Sequence, residues 1–377
     1  MISRILSTIV LLLLLKSPCV AQTQYIGRLL HPTGFDNSRS TGVSQGRQVG
    51  YLNAFSSSKA VLWSGAADTF VDLNPTNYAR SRAFGISGNT QVGEGNTTAV
   101  PNRVRPLLWH GSAESVVDLT PTGFDGGTAF GVGGDMQVGW GDIARVGYRA
   151  LMWQGTSESA VNLNPTGFVD SRAYATDGQQ QVGTVNLGPG TGEFAALWSG
   201  SASSFVNLHP VGYSRSTASG VMNNVQVGSG TQTGVLGQFA LIWNGSADSV
   251  VNLSPSLVSS EVADVYGGTQ VGYGLGLSTG NMAHALAWRG TADSMLDLHQ
   301  FLSNIPLNFT WSVALDVDSD GNIVGYAETD DGSGASYAVL WQPVPEPATW
   351  VLVAFALTFN GVSKCLRAGY GFTDRHS

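Results

Sequence analysis

Short runs of alternating apolar and polar residues, separated by turns rich in Gly, Ser and Asn, recur along the chain between residues 22 and 343. In the clearest unit, four strands are predicted over residues 81–86, 91–93, 105–109 and 115–119. Such short strands with tight turns are typical of an antiparallel β-meander. No segment of this region shows a capped helical period, so we predict an all-β body.

Three sequence markers indicate that this four-stranded unit recurs about every 45 residues. A tryptophan follows an aliphatic run seven times, at Trp63, Trp109, Trp153, Trp198, Trp243, Trp288 and Trp341. A glycine closes the Gln-Val-Gly triplet or its equivalent seven times, at Gly50, Gly93, Gly139, Gly183, Gly228, Gly272 and Gly325. The third marker, Asp or Asn followed by Leu at the fourth strand, occurs only six times, at Leu73, Leu119, Leu163, Leu208, Leu253 and Leu298.

The missing seventh fourth strand lies at the opposite end of the body. Residues 25–32 align with residues 70–75, and both segments end in proline. The N-terminal strand therefore completes the unit that contains Trp341. A linear solenoid has no use for such a permutation and needs polar capping repeats instead. We predict a seven-bladed β-propeller over residues 22–343, closed by its N-terminal strand; the alternative is a β-solenoid or an unclosed array.

Residues 1–21 have the pattern of an export signal peptide. Arg4 precedes an apolar run over residues 5–15, which is too short to span a bilayer comfortably, and Cys19-Val20-Ala21 offers a cleavage site. The alternative is a short N-terminal anchor.

The C-terminal segment, residues 344–377, carries a second targeting pattern. The motif Pro345-Glu346-Pro347 is followed by an apolar stretch over residues 348–362 and then by Lys364 and Arg367. This order resembles the PEP-CTERM sorting signal. The resemblance implies an exosortase-type membrane protease as a processing partner and a transient membrane anchor. The alternative is an ordinary C-terminal anchor. Whether the C-terminal segment is a sorting signal or an ordinary anchor, we expect residues 22–343 to be exported, to the cell envelope, the cell surface or the extracellular matrix.

The repeat itself resembles the extracellular HAF-type repeat, in which a small residue, an apolar residue, a turn and Gln-Val-Val-Gly recur. Residues 85–86 with 91–93, and 316–317 with 323–325, carry the resemblance. It implies the same fold and an exported location, and it implies no particular chemistry.

Most repeated side chains are predicted to be structural. The seven tryptophans are expected to pack between neighbouring blades, whereas Trp140, outside the repeat, is the better candidate for an exposed aromatic. The Asp or Asn before Leu is expected to make a turn-type hydrogen bond. A serine recurs in the first strand and is expected to bridge adjacent blades, at Ser38, Ser81, Ser171, Ser216, Ser260 and Ser312.

One cluster of acidic residues has the spacing of a cation-binding loop. Asp316, Asp318 and Asp320 place carboxylates at alternate positions before Gly321, as at the start of an EF-hand loop. The twelfth position is Ala327 instead of Glu, and the other blades have an ordinary hairpin turn here. We therefore weigh a calcium site, the one cofactor suggested by the sequence, against a solvated turn.

Charge and cysteine content narrow the classes of partner. The chain has 18 basic and 26 acidic residues, a net charge of −8 and only three lysines, so no nucleic-acid partner is expected. Its two cysteines, Cys19 and Cys365, lie in the two end segments, so no disulfide can stabilise the body.

No catalytic motif stands out, and no catalytic residue is predicted. Scattered acids in or near variable loops are candidates for an acid/base pair, namely Glu94, Asp142, Glu193 and Glu328. The function predicted from the sequence is that of a non-catalytic surface or matrix propeller that binds a glycan or a protein through its loops. The alternative is an exported polysaccharide hydrolase or lyase on the same ring, which two or three non-repeat acids around the central channel would favour.

Overall fold

The described residues, 23–54, 57–100 and 102–345 of a computed structural model, form seven four-stranded antiparallel sheets. Sheets that are consecutive along the chain pack against one another, and the first packs against the last. The ring spans Tyr25–Gln342. The predicted seven-bladed β-propeller is therefore confirmed, and the described residues contain no α-helix.

The first three blades follow one another in chain order, each from the innermost strand to the outermost. Blade 1 contains β2 (Asn37–Ser44), β3 (Arg47–Ala54), β4 (Ser57–Trp63) and β5 (Val71–Asp72). Blade 2 contains β6 (Tyr78–Ser87), β7 (Thr90–Thr97), β8 (Val104–Trp109) and β9 (Val117–Asp118). Blade 3 contains β10 (Gly126–Gly133), β11 (Met136–Ile143), β12 (Gly147–Trp153) and β13 (Val161–Asn162).

The next three blades repeat this order. Blade 4 contains β14 (Asp170–Thr176), β15 (Gln181–Asn186), β16 (Glu193–Trp198) and β17 (Val206–Asn207). Blade 5 contains β18 (Tyr213–Met222), β19 (Val225–Gln232), β20 (Phe239–Trp243) and β21 (Val251–Asn252). Blade 6 contains β22 (Ser259–Tyr266), β23 (Thr269–Leu275), β24 (His284–Trp288) and β25 (Leu296–Asp297).

Blade 7 combines the two ends of the ring. Its inner strands are β26 (Phe309–Val317), β27 (Ile323–Thr329) and β28 (Ser336–Pro343), and its outer strand is β1 (Tyr25–Leu29). Leu30 continues the pairing, since its N–H donates to Ala338 O at 2.8 Å. The predicted closure by the N-terminal strand is confirmed.

The fourth strand is shorter than its apolar pattern predicts. In blade 2 only Val117–Asp118 pair with β8, and Ala113–Ser115 form a 3₁₀ turn. The Ser115 hydroxyl accepts from His110 N at 2.8 Å and donates to Ser112 O at 2.6 Å. These bonds close the turn and delay the start of the strand. Equivalent turns occur in the next blades and in blade 1, over Ala67–Thr69, Ser157–Ser159, Ala202–Ser204, Ala247–Ser249 and Ala292–Ser294.

The hydrophobic core lies between the blades. All seven repeat tryptophans are at most 1% exposed, and Trp109 packs with Val49 and Leu62 of the preceding blade. The predicted core role of these tryptophans is confirmed. Trp341 donates its indole N–H to Leu298 O at 2.9 Å, whereas the other six indole N–H groups have no acceptor within the described residues.

Buried hydroxyls join neighbouring blades as predicted. The Ser81 hydroxyl accepts from Ala60 N of blade 1 at 3.1 Å and donates to Asn74 Oδ1 at 2.7 Å. The other five serines accept from the equivalent backbone N–H at 2.8–2.9 Å. Blade 3 departs from this rule: Pro106 of blade 2 has no N–H to offer, and Gly127 stands where the serine would be. Loss of the donor and loss of the acceptor coincide.

The glutamine of the Gln-Val-Gly triplet fastens two turns of its own blade. In blade 2, Gln91 Nε2 donates to Asn89 O at 2.9 Å, and Gln91 Oε1 accepts from Gly111 N at 2.7 Å. Its side chain therefore holds the hairpin between the first and second strands against the turn after the third. The same bond to a glycine N–H recurs at Gln48, Gln137, Gln181, Gln226 and Gln270.

The predicted end segments lie almost entirely outside the described residues. The structure does not describe the predicted signal peptide, residues 1–21, or the part of the predicted sorting segment beyond Pro345. Within the part of the chain that the structure describes, no helix is long and apolar enough to cross a membrane.

Candidate binding site in the central channel

A cavity of about 550 Å³ occupies the central channel and opens towards the hairpins that join the first and second strands of each blade. The innermost strands of all seven blades form its wall. Each of these strands carries a β-bulge, where the register with its neighbour shifts by one residue. The skipped residues line the cavity: Thr41, Phe84, Phe130, Tyr174, Ser219, Ala263 and Leu315.

Three aromatic rings form a continuous arc on one side of this cavity. The ring centroids of Phe84 and Phe130 are 5.3 Å apart, and those of Phe130 and Tyr174 are 5.6 Å apart. These residues come from consecutive blades, so the arc covers blades 2, 3 and 4. The remaining four blades place small or aliphatic side chains at the same level. The wall is therefore chemically asymmetric although the fold repeats.

The position after each bulge controls how closely adjacent inner strands approach. A Cβ atom at Gly85 would lie 2.7 Å from Phe130 O, and one at Gly131 would lie 2.8 Å from Tyr174 O, so these contacts require glycine. The seven equivalent residues are Gly42, Gly85, Gly131, Ala175, Gly220, Asp264 and Asp316. Blades 6 and 7 thus replace a close backbone approach with a carboxyl group.

Asp264 and Asp316 form a hydrogen-bonded carboxyl pair across the junction of blades 6 and 7. Asp316 Oδ2 accepts from Val43 N of blade 1 at 2.6 Å, and Oδ1 accepts from Val317 N at 2.8 Å. Burial raises the pKa of both carboxyls, and the charge of Asp264 raises the pKa of Asp316 further. Two adjacent carboxyls can share one proton, which removes most of their mutual repulsion.

The three residues of the predicted calcium site have different environments. Asp316 belongs to the carboxyl pair, Asp318 is 5% exposed, and Asp320 is exposed. Asp318 Oδ1 accepts from Asp320 N and Asn322 N, both at 3.0 Å, and both oxygens accept from Asn322 Nδ2. Among the described residues, no three His, Cys, Asp or Glu side chains form a group that could hold a metal ion. The calcium site stays a prediction.

The scattered glutamates of the sequence analysis lie apart from one another. Glu328, Glu94 and Glu193 each face an arginine, with N···O distances of 3.7 Å to Arg39, 3.9 Å to Arg82 and 3.0 Å to Arg172. The same arginines lie over tyrosine rings of the preceding blade, Tyr326, Tyr51 and Tyr148. Only the Arg39–Glu328 pair joins two blades, whereas the other two pairs lie within blades 2 and 4; the three glutamates do not form an acid/base pair.

Three serine–histidine contacts have a structural explanation. His209 Nδ1 lies 2.8 Å from Ser216 Oγ, and the same contact joins His31 to Ser38 and His299 to Ser312. The serines are at most 1% exposed and also accept from a backbone N–H. Burial lowers the pKa of all three histidines. Because asparagine takes the histidine position beside Ser81, these contacts are blade bridges instead of nucleophile–base pairs.

Trp140, the predicted exposed aromatic, is half-buried. Its ring packs edge-on against Tyr148 with centroids 4.8 Å apart.

The face opposite the hairpins carries an exposed apolar surface on blades 5 and 6, which we call the apolar sector. Val211, Leu236 and Leu277 are 95%, 94% and 88% exposed. Backbone bonds from Thr233 N to Gly212 O and from Val258 N to Leu275 O join these loops to their neighbours. Val235, Val258 and Met282 complete the sector. Its loops, residues 210–212, 233–238, 254–258 and 276–283, contain no charged residue.

Sequence reasoning missed the carboxyl pair and the aromatic arc, although both leave a signal in the aligned repeats. When the seven repeats are aligned, the position after the bulge is glycine or alanine in blades 1 to 5 and aspartate in blades 6 and 7, at Asp264 and Asp316. This change can be seen in the sequence alone. The arc is harder to find, because the bulge changes which face of the strand each residue occupies.

Comparisons with known proteins support the fold. No protein-family model and no curated protein matches the chain. Among solved structures, the chain is similar to the β-propeller domain of the trilobed protease from Pyrococcus furiosus, described as having an open velcro topology. That match has a TM-score of 0.55 and 11% identity, covering 82% of this chain and 93% of that one.

Two further solved structures are similar at the same level. Oligogalacturonate lyase from Vibrio parahaemolyticus matches with a TM-score of 0.54 and 11% identity, over 86% of this chain and 98% of that one. Acylaminoacyl peptidase from Pyrococcus horikoshii matches with a TM-score of 0.53 and 10% identity, over 85% of this chain and 54% of that one. At these identities the similarity shows a shared propeller fold.

Proposed function

We propose that this protein is an exported, non-catalytic propeller that binds a protein partner through the apolar sector at the cell surface or in the extracellular matrix. The observation that carries the proposal is the near-complete exposure of Val211, Leu236 and Leu277 on adjoining uncharged loops. Contiguous exposed apolar surface on a soluble fold is typical of an interaction site. Aliphatic side chains without aromatic faces favour a protein partner over a glycan.

The direction of the chain supports this choice of face. β1 begins and β28 ends at the hairpin side of blade 7, opposite the loops that carry the apolar sector. The strand ends at Tyr25 and Gln342 therefore lie on the other face of the ring. A partner can approach the apolar sector without meeting these strand ends.

The export part of the proposal rests on the residues of the two end segments. Their order of signals supports processing by an exosortase-type protease after Pro347. Intact mass of protein recovered from the native host tests this: we expect a species that lacks the signal peptide and the residues after about Pro347. A surface species that retains Asp374 and Ser377 would identify the tail as a plain anchor.

The partner is tested by capture from the native envelope after cross-linking. We compare wild type with Leu236→Ser/Leu277→Ser, and with the control Val100→Ser/Val146→Ser, which alters two exposed valines of blades 2 and 3. Wild type and control should recover the same protein, and the sector variant should lose it. Equal recovery by all three would refute the apolar sector as the docking surface. Binding on a glycan array that only the sector variant lacks would make the partner a glycan.

A hydrolase or lyase acting on polysaccharide is the second candidate. The Asp264–Asp316 pair favours it, because two non-repeat acids with raised pKa values lie in the channel wall. Against it, Asp316 already accepts two backbone N–H groups, as a structural linker between blades would. Product formation from a panel of oligosaccharides that disappears in Asp316→Asn would establish the enzyme and displace the binding proposal.

A further inference from the structure

The cavity in the central channel has a strong imbalance of charge. Four aspartates line it, namely Asp177, Asp264, Asp316 and Asp318. Among the described residues of its wall there is no lysine, arginine or histidine. A narrow channel lined by one sign of charge focuses its electrostatic potential and concentrates ions of the opposite sign. The cavity therefore repels anions and attracts cations.

The aromatic arc adds a second and independent requirement. In a ring of seven blades, blade 3 lies opposite the junction of blades 6 and 7. Phe130, at the centre of the arc, therefore faces the Asp264–Asp316 pair across the channel. The two sides suit the two ends of one small molecule. Aromatic faces accept a flat apolar group or a cation, whereas the carboxyl pair accepts hydrogen bonds from an ammonium group.

From this arrangement we infer that the central channel binds a small organic ammonium ion, with its apolar body against Phe84, Phe130 and Tyr174 and its charged end at Asp264 and Asp316. A cavity of about 550 Å³ is within the usual range for small-molecule sites. An organic cation fits better than a metal ion, because no group of three ligating side chains comes together in the described residues. A neutral or anionic ligand of the same shape leaves the carboxyl pair without a counter-charge.

This inference goes beyond the proposed function and is independent of it. The apolar sector is built from the loops opposite the hairpins, and none of its residues lines the cavity. Loss of partner binding in Leu236→Ser/Leu277→Ser leaves the channel intact, and loss of the channel site leaves the sector intact.

The test uses three matched probes with the purified full-length chain in calorimetric titrations. These are 2-phenylethylammonium, the neutral 2-phenylethanol and the anionic 3-phenylpropanoate. We expect the ammonium ion to bind in the millimolar range or tighter, and the other two to bind about tenfold or more weakly. Equal affinity for the alcohol, or no heat with the ammonium ion at millimolar concentration, would overturn the inference.

Variants locate the binding within the channel. Asp264→Asn/Asp316→Asn keeps the size of both side chains but removes their charge and one acceptor oxygen from each, so it should lose about tenfold in ammonium affinity. Asp293→Asn, the control, makes the same change at an exposed site on a 3₁₀ turn and should bind like wild type. Phe130→Leu should weaken binding about threefold, because the aromatic face is lost. Phe130→Leu still tests the inference if the double variant fails to fold. Unchanged ammonium affinity in either channel variant would place the ligand elsewhere.

Discussion

Asp264 and Asp316 change the construction of two blade junctions by single-residue replacements. Five blades hold Gly or Ala at this position, and at Gly85 and Gly131 the backbone of the next blade comes too close for any Cβ. In blades 6 and 7 the gap contains carboxyl groups that accept backbone N–H groups: Asp316 accepts from Val43 of blade 1 and from the adjacent Val317, and Asp264 accepts from Val317 of blade 7. A partly buried acid pair is stable here because hydrogen bonds and a shared proton compensate for the hydration that it loses.

The protonation of this pair makes stability depend on pH. Burial raises the pKa of each carboxyl above the ordinary aspartate value of 3.8. The folded protein therefore binds a proton at this pair more tightly than the unfolded chain does. The contribution of the pair to stability is fully present below the unfolded pKa. It is lost as pH rises through the raised pKa. Asp264→Asn removes one negative charge and offers Asp316 an amide donor. We expect its Tm to exceed that of wild type at pH 8 and to match it near pH 4.

The size of this gain is limited by the length of the chain. For a domain this large, each 1 kcal/mol recovered raises Tm by roughly 1–2 °C, so differential scanning calorimetry at the two pH values is the suitable measurement. Asp293→Asn serves as the control, because its exposed carboxyl should leave Tm unchanged at both pH values. The same Tm change at pH 4 and pH 8 would show that the pair does not hold a proton between its carboxyls.

The inter-blade serine gives a second prediction for a single residue. Ser81→Ala leaves the N–H of Ala60 and the side-chain oxygen of Asn74 without their partner in a buried junction. Leaving such groups unsatisfied costs about 1–3 kcal/mol. Urea unfolding should show this loss for Ser81→Ala and less than about 0.5 kcal/mol for the exposed Ser203→Ala. Equal effects of the two substitutions would contradict the bridging role.

At the scale of single elements, the hairpin between β26 and β27 differs from the other six. It has Ile323 at the position where the other blades have the glutamine of the Gln-Val-Gly triplet, whose side chain joins two turns of its own blade. In this hairpin the Asp318 carboxylate supplies the side-chain hydrogen bonds instead. It accepts from Asp320 N, Asn322 N, Asn322 Nδ2 and Gly46 N of blade 1. One acidic side chain thus holds the turn together and attaches it to the next blade.

Asp318→Ala separates this structural role from the predicted calcium site. Removal of the carboxylate leaves several N–H groups without an acceptor, so we expect a loss of about 1–3 kcal/mol in the free energy of unfolding, with chelator and with millimolar calcium alike. A calcium site would add a further stabilisation of the wild type by calcium, which Asp318→Ala abolishes. Calorimetric titration with calcium distinguishes the two results. A wild type stabilised by calcium and a variant that matches it in chelator would assign Asp318 to metal binding alone.

Elements that repeat could be predicted from the sequence, whereas contacts created by the ring could not. The alternating pattern and the seven tryptophans predict blades, and the proline-terminated segment ending at Pro32 predicts closure, because these features depend on local spacing. The fourth strand is shorter than predicted, since hydroxyls such as Ser115 bind the turn before it. The Asp264–Asp316 contact joins residues 52 positions apart in neighbouring inner strands. Only the packing of blades and the bulges in their inner strands bring such side chains together.

For the whole molecule, we expect stability to depend strongly on the junction in blade 7 between β1 and β28. β1 has five residues, whereas the outer strands of the other blades have two. Leu30 is fully buried in a cluster with Leu52, Val61 and Trp63 of blade 1. Asn304 Nδ2 donates to Gly27 O at 2.9 Å, which ties β1 to the connection that precedes β26. The closing strand therefore contacts blade 7, blade 1 and the chain between blades 6 and 7.

Deletion of residues 22–32 tests this closure directly. The truncated chain exposes the unpaired edge of β28 and loses the buried Leu30, so we expect a lower unfolding midpoint, a broader transition and aggregation. A synthetic peptide of residues 22–32 should restore part of the stability by adding the missing strand. In the intact chain, Leu30→Ala should cost about 2–5 kcal/mol, whereas Ile26→Ala, at a side chain that is 46% exposed on β1, should cost less than about 1 kcal/mol. Equilibrium urea unfolding with light scattering measures all four proteins. A truncated chain that unfolds like wild type and stays monomeric would mean that six complete blades and three strands hold the ring without its closing strand.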